Sequence, residues 1–255
     1  DSEWADASHG IWAPEMHEYK GKYYLFATFT NEKSPLSQQL PGRPFLHRRA
    51  TALLVADTPE GPFVPLTGKP HTPADWMSLD GTLYVENGKP YMVFCHEWTQ
   101  VTDGTMELLP LSEDLYTPEG TPVTMFRAKD ASWVQSLDMY KGKEVEGYVT
   151  DGCFLHRNAN GKLIMLWSSF GEHGYVEAIS RSDNNDITGN WVPDEELLFE
   201  RDGGHGMLFA TLDGKLMLTL HSPNETPLER PAFYEMEERD GKLAVKAVSP
   251  QTDVK

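Results

Sequence analysis

Four β-hairpin signals recur along the chain, and each consists of two apolar strands joined at a turn glycine. The turn glycines are Gly21, Gly88, Gly161 and Gly214. One polar residue precedes each turn by six to ten positions, and these residues are Glu15, Asp80, Asp151 and His205. A chargeable group that recurs in this way predicts that the four residues occupy one structural position at the start of each hairpin and build one site.

The spacing of the hairpins predicts a β-propeller. The turn glycines are 67, 73 and 53 residues apart, which exceeds the roughly 40 to 50 residues of regular blades and leaves room for long loops. In two units a second motif follows the hairpin, in TALLVADTPEGPF (51–63) and VEAISRSDNNDITGNW (176–191). Each unit then holds about four strands, as a blade does. We therefore predict an all-β chain in which residues 1–255 form a single domain with four recognisable blades.

The composition excludes several classes of partner. A net charge of −17 repels phosphate backbones and anionic lipids, so we expect neither nucleic acid nor a membrane as partner. The chain has no apolar run of membrane-spanning length and no signal sequence at its start. Its two cysteines, Cys95 and Cys153, are too few for a disulfide framework and lack zinc-site spacing, so we expect both to be buried. A neutral or cationic ligand fits the charge best.

The predicted propeller would bring ionisable groups together, because the first strand of each blade lies beside the central axis. Carboxyl groups that lie close together disfavour double ionisation, so one keeps its proton beside one that is ionised. Such a pair is what cleavage of a glycosidic bond requires. Asp-Gly is also a common turn signal, so Asp80 and Asp151, taken singly, could be purely structural.

The chain resembles glycoside hydrolase family 43 from Trp12 to His221, in the ordered segments WAPE, GKYYLFAT, SLDGTLYVENGKPYMVF, TDGCFLHR, SDNNDITGNW and GGHGMLF. The resemblance implies a five-bladed β-propeller with an aspartate base, an aspartate that tunes the acid, and a glutamate acid. By this resemblance Asp80 is the tuning aspartate and Asp151 stands at the position of the acid. Glu15 is similar to the pocket-lining acid of the WAP(D/E) motif, and His205 to a histidine that holds calcium or water on the axis.

Two features depart from the family pattern. The family's base lies in a blade that precedes the WAPE motif, so we expect the base and the first blade to lie outside the 255 residues, on an upstream piece of chain. Asp151 stands where the family usually has glutamate, and the side chain is shorter by one methylene, about 1.5 Å. A misplacement of that size can cost about a hundredfold in rate, so altered geometry and lost hydrolysis both stay open.

These features predict an inverting glycosidase that acts on α-L-arabinofuranosyl or β-D-xylosyl linkages of plant-type polysaccharides or oligosaccharides. The alternative is a carbohydrate-binding propeller that has lost hydrolysis. A protein-interaction propeller is a third hypothesis, although it would not need acids at the strand starts. The family resemblance implies a secreted or periplasmic enzyme, and the oligomeric state is left open.

We expect substrate contacts from residues near the predicted channel. The candidates are Trp12, Glu15, His96, Glu97, Trp98 and His205. For the segment HEW, which contains three of them, packing in the core is an equal alternative. No cofactor is required for the predicted reaction. The resemblance allows a structural Ca²⁺ on the axis, with His205 as a ligand.

Overall fold

The computed structural model describes residues 3–239 and 242–247. These residues form four antiparallel sheets of four strands each and one two-stranded hairpin. We call the four sheets blades 1 to 4 in chain order. The helical elements among them are short: the 3-10 helices Ala7–His9 and Ala128–Asp130 and the α-helix α1, Trp98–Val101. In the described ranges, no helix has the length and apolar character needed to cross a membrane.

Each blade takes its strands in the order of the chain. Blade 1 contains β1 (Ile11–Tyr19), β2 (Lys22–Pro35), β3 (His47–Ala56) and β4 (Val64–Pro65). Blade 2 contains β5 (Ser78–Glu86), β6 (Lys89–His96), β7 (Thr105–Pro110) and β8 (Val123–Arg127). The two-stranded hairpin β9 (Met139–Tyr140) and β10 (Lys143–Glu144) follows. Blade 3 contains β11 (Asp151–Arg157), β12 (Leu163–Gly171), β13 (Gly174–Ser182) and β14 (Trp191–Phe199). Blade 4 contains β15 (Gly204–Ala210), β16 (Leu216–Ser222), β17 (Arg230–Arg239) and β18 (Lys242–Ala247).

The first strand of each blade is the innermost one. Strand β5 packs against β1, β2 and β3 of blade 1, β11 packs against β5 and β6, and β15 packs against β11, β12 and β13. Consecutive blades therefore meet through their first strands, as in a propeller. The predicted all-β architecture with four blades is confirmed.

Every innermost strand contains a β-bulge at the same place. The pairing with the second strand shifts between Trp12 and Glu15, between Leu79 and Thr82, between Asp151 and Phe154, and between Gly204 and Met207. One residue in each bulge has a positive φ, and these residues are Ala13 (43°), Asp80 (56°), Gly152 (56°) and His205 (57°). The bulge is thus a repeated element that turns the inner strand at the axis.

The bulges correct one prediction from the sequence. Aligned by strand pairing, Asp80 and His205 occupy the same position, Asp151 lies one residue earlier, and Glu15 lies two residues later. The prediction that the four share one structural position was wrong. In a bulge, two residues of one strand lie opposite a single residue of the partner strand, and the bulged strand bends. Side chains from neighbouring positions can therefore point to the same side.

Apolar side chains fill the spaces between adjacent blades. One cluster joins blades 1 and 2 around Phe26 and Phe94, a second joins blades 2 and 3 around Trp167, and a third joins blades 3 and 4 around Leu218. The indole of Trp167 is fully buried, and its ring centroid lies 5.1 Å from those of Phe126 and Trp133. The two cysteines are free and buried, as expected. The blades are therefore held in order mainly by this packing.

We expect Trp167→Ala to lower the free energy of unfolding by about 3–5 kcal/mol, because it removes a large side chain and leaves a cavity between blades 2 and 3. Urea unfolding followed by circular dichroism would measure the loss. Tyr116→Ala is the control, because Tyr116 is 51% exposed and should change stability by no more than about 0.5 kcal/mol. Equal stability of the two variants would contradict the role of this packing.

Candidate active site

A cavity of about 900 Å³ lies at the axis, and residues of all four blades line it. We call it the axial cavity. Its lining includes seven of the residues predicted from the sequence: Trp12, Glu15, Asp80, Glu97, Trp98, Asp151 and His205. The cavity is large enough for a small ligand such as one or more sugar units.

The bulges bring two carboxyl groups and an imidazole together in this cavity. One carboxyl oxygen of Asp80, one carboxyl oxygen of Asp151 and a ring nitrogen of His205 all lie within 4.8 Å of one another. The Gly152 amide donates to Asp80 Oδ2 at 3.3 Å, and His205 Nδ1 lies 3.9 Å from the same oxygen. The predicted convergence of these three residues is therefore present in the structure.

Gly152 allows this close approach. Its φ is +56°, and a Cβ at this position would lie 2.8 Å from His205 Cα. Any other residue would be strained and would push the histidine bulge of β15 away from β11. The absence of a side chain at Gly152 thus lets blades 3 and 4 place their polar groups side by side.

Asp80 favours its protonated form. Burial raises the pKa of Asp80 well above its usual range, and the nearby charge of Asp151 raises it further. Asp80 is only 6% exposed, so ionising it would place a second negative charge beside Asp151 in a poorly solvated position. Asp80 therefore holds its proton more firmly than an exposed aspartate does, next to the cavity.

Tyr175 contacts Asp151 from the third strand of blade 3, β13. Its hydroxyl donates a hydrogen bond of 2.8 Å to Asp151 Oδ2. Burial and the charge of Asp151 raise the pKa of Tyr175, so the hydroxyl stays protonated and remains a donor. Its ring stacks on His221 with centroids 5.4 Å apart. Tyr175 thus orients Asp151, a contact that the sequence analysis did not anticipate.

Glu177 fixes the bulge that carries His205. Its Oε2 accepts hydrogen bonds from Ser168 Oγ at 2.7 Å and from the Gly206 amide at 2.9 Å. Ser168 Oγ in turn accepts a hydrogen bond of 2.7 Å from the His205 amide. Sequence reasoning missed Glu177, although an acidic residue inside the apolar segment YVEAI is the kind of signal that could have revealed it.

One wall of the axial cavity is held by a buried ion pair. Arg49, only 3% exposed, forms an ion pair with Glu97, and its guanidinium carbon lies 4.2 Å from the centre of the Trp12 ring. This cation–π contact supports the indole from one side. Glu97 and Trp12 therefore line the cavity as predicted, while Arg49 sets their positions.

Glu15 reaches the cavity from blade 1. Its Oε1 lies 2.6 Å from His17 Nε2 and accepts a hydrogen bond of 2.7 Å from Thr82 Oγ1. Thr82 belongs to β5, so this contact also links the inner strands of blades 1 and 2. Glu15 is thus a bonded lining residue rather than a freely solvated side chain.

His96 does not line the axial cavity. Its imidazole is stacked on Trp76 with ring centroids 4.0 Å apart, and its Nε2 lies 2.9 Å from Gln100 Oε1. Of the segment HEW, Glu97 and Trp98 face the cavity and His96 packs beneath it. The alternative of core packing therefore describes His96, and a contact of His96 with substrate has no support from the geometry.

Asp80, Asp151 and His205 are a group of three possible metal ligands within the described ranges, and Ca²⁺ is the ion that the family resemblance suggests for them. Ca²⁺ takes six to eight oxygen ligands, whereas this cluster offers two carboxyl groups and one nitrogen. A Ca²⁺ ion here would need most of its ligands from water. The donor set thus fits Ca²⁺ poorly.

Paired carboxyl groups beside a cavity of sugar size are an arrangement that glycoside-cleaving enzymes use. Comparison with family models identifies the family: the model described as "Glycosyl hydrolases family 43" matches residues 1–240. The chain belongs to this family and is a glycosidase. The resemblance recognised in the sequence is confirmed.

Solved structures of similar fold support the assignment. An endo-arabinase from Bacteroides thetaiotaomicron VPI-5482 is 42% identical over 91% of this chain and 76% of that chain, with a TM-score of 0.79. A thermostable family-43 glycoside hydrolase is 20% identical over 95% and 77% of the two chains, with a TM-score of 0.74. An α-L-arabinofuranosidase from Lactobacillus brevis is 18% identical over 90% and 73%, with a TM-score of 0.66. The last two show the shared fold alone. The search of curated proteins found no match.

The buried carboxyl of Glu177 generates a prediction about pH. Burial raises its pKa from 4.5 to about 8, so the folded state binds more protons than the unfolded state between these values. The stabilisation from the protonated carboxyl is complete below pH 4.5 and is lost as the pH rises through 8. Relative to the wild type, Glu177→Gln should therefore gain roughly 1–3 kcal/mol of stability between pH 5 and pH 8.

Urea unfolding at both pH values would measure this difference. Glu60→Gln serves as the control, because Glu60 is an exposed glutamate and its replacement should give the same small change at each pH. A Glu177→Gln difference that does not vary with pH would contradict the buried, protonated state of this carboxyl.

Proposed function

We propose that the chain is an inverting glycosidase for α-L-arabinofuranosyl or β-D-xylosyl linkages in plant-type polysaccharides or oligosaccharides. The observation that carries this proposal is the close pair of carboxyl groups of Asp80 and Asp151 at the wall of the axial cavity. Glycosidic cleavage needs a carboxylic acid that protonates the leaving oxygen. The pair places two carboxyl groups where one of them can protonate the leaving oxygen of a bound sugar.

Asp151 is the proposed general acid. It lines the cavity at the start of β11, and it is less buried than Asp80, so it can reach a bound sugar. Asp80 lies beside it, and Tyr175 donates a hydrogen bond to the Asp151 carboxyl. These contacts orient the Asp151 side chain.

Inversion also requires a carboxylate that activates water, at roughly 6.5–9.5 Å from the acid. We assign this base to no residue of the described ranges. By the family resemblance, we propose that the base lies on a blade before the WAPE motif. The 42% identical endo-arabinase is longer than this chain, which covers 76% of it. The reaction that we propose uses carboxyl groups and water and has no metal-dependent step.

The proposed substrates rest on the related structures. The structure that is 42% identical is described as an endo-arabinase, and an exo-1,5-α-L-arabinanase with a TM-score of 0.60 also has this fold. We therefore favour an arabinose-containing substrate. A polymer of this kind is cleaved outside the cell or in the periplasm, and we propose the same location for this enzyme. A propeller without catalysis is less favoured, because the acid pair is intact in the cavity.

We expect Asp151→Asn to lower kcat by about 10²- to 10⁴-fold on arabinofuranosides or xylosides with poor leaving groups, since the amide cannot donate the acid proton. On aryl glycosides with activated leaving groups the loss should be much smaller, because little protonation is needed. Steady-state kinetics on both types of substrate would measure the difference. Asp57→Asn, at a side chain that is 87% exposed, is the control and should leave both rates unchanged.

Two results would contradict the proposal. Wild-type rates for Asp151→Asn on poor leaving groups would exclude this residue as the acid. A retained anomeric configuration in the first sugar released, measured by proton NMR, would contradict the inverting mechanism. Binding of arabino- or xylo-oligosaccharides without any hydrolysis would favour the carbohydrate-binding alternative.

A further inference from the structure

A second cavity lies beside the axial one. It has a volume of about 270 Å³ and lies between the loop that joins β2 to β3 and the hairpin β9–β10. We call it the outer cleft. Its lining includes Arg43, Phe45, His47, Thr99, Tyr140 and Lys143. The predicted site did not include any of these residues.

Trp98 lies where the linings of the two cavities adjoin. It lines the axial cavity, and its ring packs edge-on against Tyr140 of the outer cleft with centroids 5.2 Å apart. Arg43 lies 5.6 Å from the centre of the same indole and donates hydrogen bonds to the carbonyl oxygens of Trp98 and Thr99. The two cavities therefore adjoin at Trp98.

The lining suits a ligand with apolar faces and hydroxyl groups. Phe45 is 57% exposed although it is a large apolar side chain, and its ring is stacked on His47 with centroids 6.3 Å apart. Tyr140 adds a second aromatic ring with a polar end. Such rings can pack against the C–H face of a sugar, while Lys143 and Glu144 can bond to its hydroxyls.

The charges of the cleft nearly balance, which suits a neutral ligand. Three cations, Arg43, Lys141 and Lys143, and two carboxylates, Glu32 and Glu144, line it. The ammonium of Lys141 lies 3.5 Å from a carboxylate oxygen of Glu32. Burial and Arg49 lower the pKa of His47 to about 4, so its imidazole is uncharged at neutral pH.

We propose that the outer cleft is a distal binding subsite for a neutral oligosaccharide whose cleaved end lies in the axial cavity, with Phe45 and Tyr140 as its stacking residues. This inference rests on the proposed function and deepens it, because it makes the substrate a chain of several pentose units that passes over Trp98. Short substrates fill the axial cavity alone. Long substrates gain the contacts of both cavities.

Isothermal titration of the whole chain with arabino-oligosaccharides of two and six units tests the proposal. Phe45→Ala and Tyr140→Ala should each weaken binding of the hexasaccharide by about 3- to 10-fold, which is the range of an aromatic contact. Binding of the disaccharide should change by less than about twofold. Phe45→Trp should restore the hexasaccharide affinity, because it keeps an aromatic face. Tyr116→Ala, an exposed aromatic residue outside both cavities, is the matched control.

Several outcomes would overturn the proposal. If Phe45→Ala weakened binding of both oligosaccharides equally, Phe45 would act on binding in the axial cavity or on the stability of the whole chain, and not in the cleft. If both alanine variants bound the hexasaccharide as the wild type does, the cleft would be excluded as a subsite. A wild type that binds neither oligosaccharide would also exclude it. Thermal unfolding of each variant separates misfolding from lost contact. Hydrolysis is measured separately, so a chain that binds the hexasaccharide through the cleft without cleaving it contradicts the proposed function alone.

Discussion

The close approach of the carboxyl groups of Asp80 and Asp151 is the interaction on which the rest of the site depends. Burial of Asp80 and the charge of Asp151 raise the pKa of Asp80, so this carboxyl favours its protonated form. The two residues come from the inner strands of different blades, so they meet only while blades 2 and 3 are packed in order. The apolar cluster around Trp167 is therefore part of the chemistry, because it sets the distance between the two acids.

The sequence predicted the architecture well because its signals are local. Each turn glycine closes a hairpin of a few residues, and each hairpin seeds a blade. The positions of the polar residues within the blades were harder to predict, because each bulge shifts the strand pairing by one residue without leaving a clear mark in the sequence. Asp80, Asp151 and His205 therefore converge as predicted, but from different positions in the bulge.

The residues that support the site were missed for a related reason. Tyr175 and Glu177 lie on the third strand of blade 3, and Arg49 lies on the third strand of blade 1, outside the hairpins that carry the turn glycines. Their roles depend on contacts with other strands or segments, which no spacing within the chain reveals. The segment HEW shows the same limit: adjacent residues at the end of β6 point to different surroundings, so His96 packs on Trp76 while Glu97 meets Arg49.

The contact of Gly152 with His205 has a consequence for how this site can vary among relatives. The space that a side chain at position 152 would need is filled by the backbone and ring of the histidine. Because one of these atoms is the backbone Cα of His205, a smaller side chain at position 205 would not make room for a side chain at position 152. Any residue other than glycine at position 152 therefore requires the inner strand of blade 4 to move away from that of blade 3.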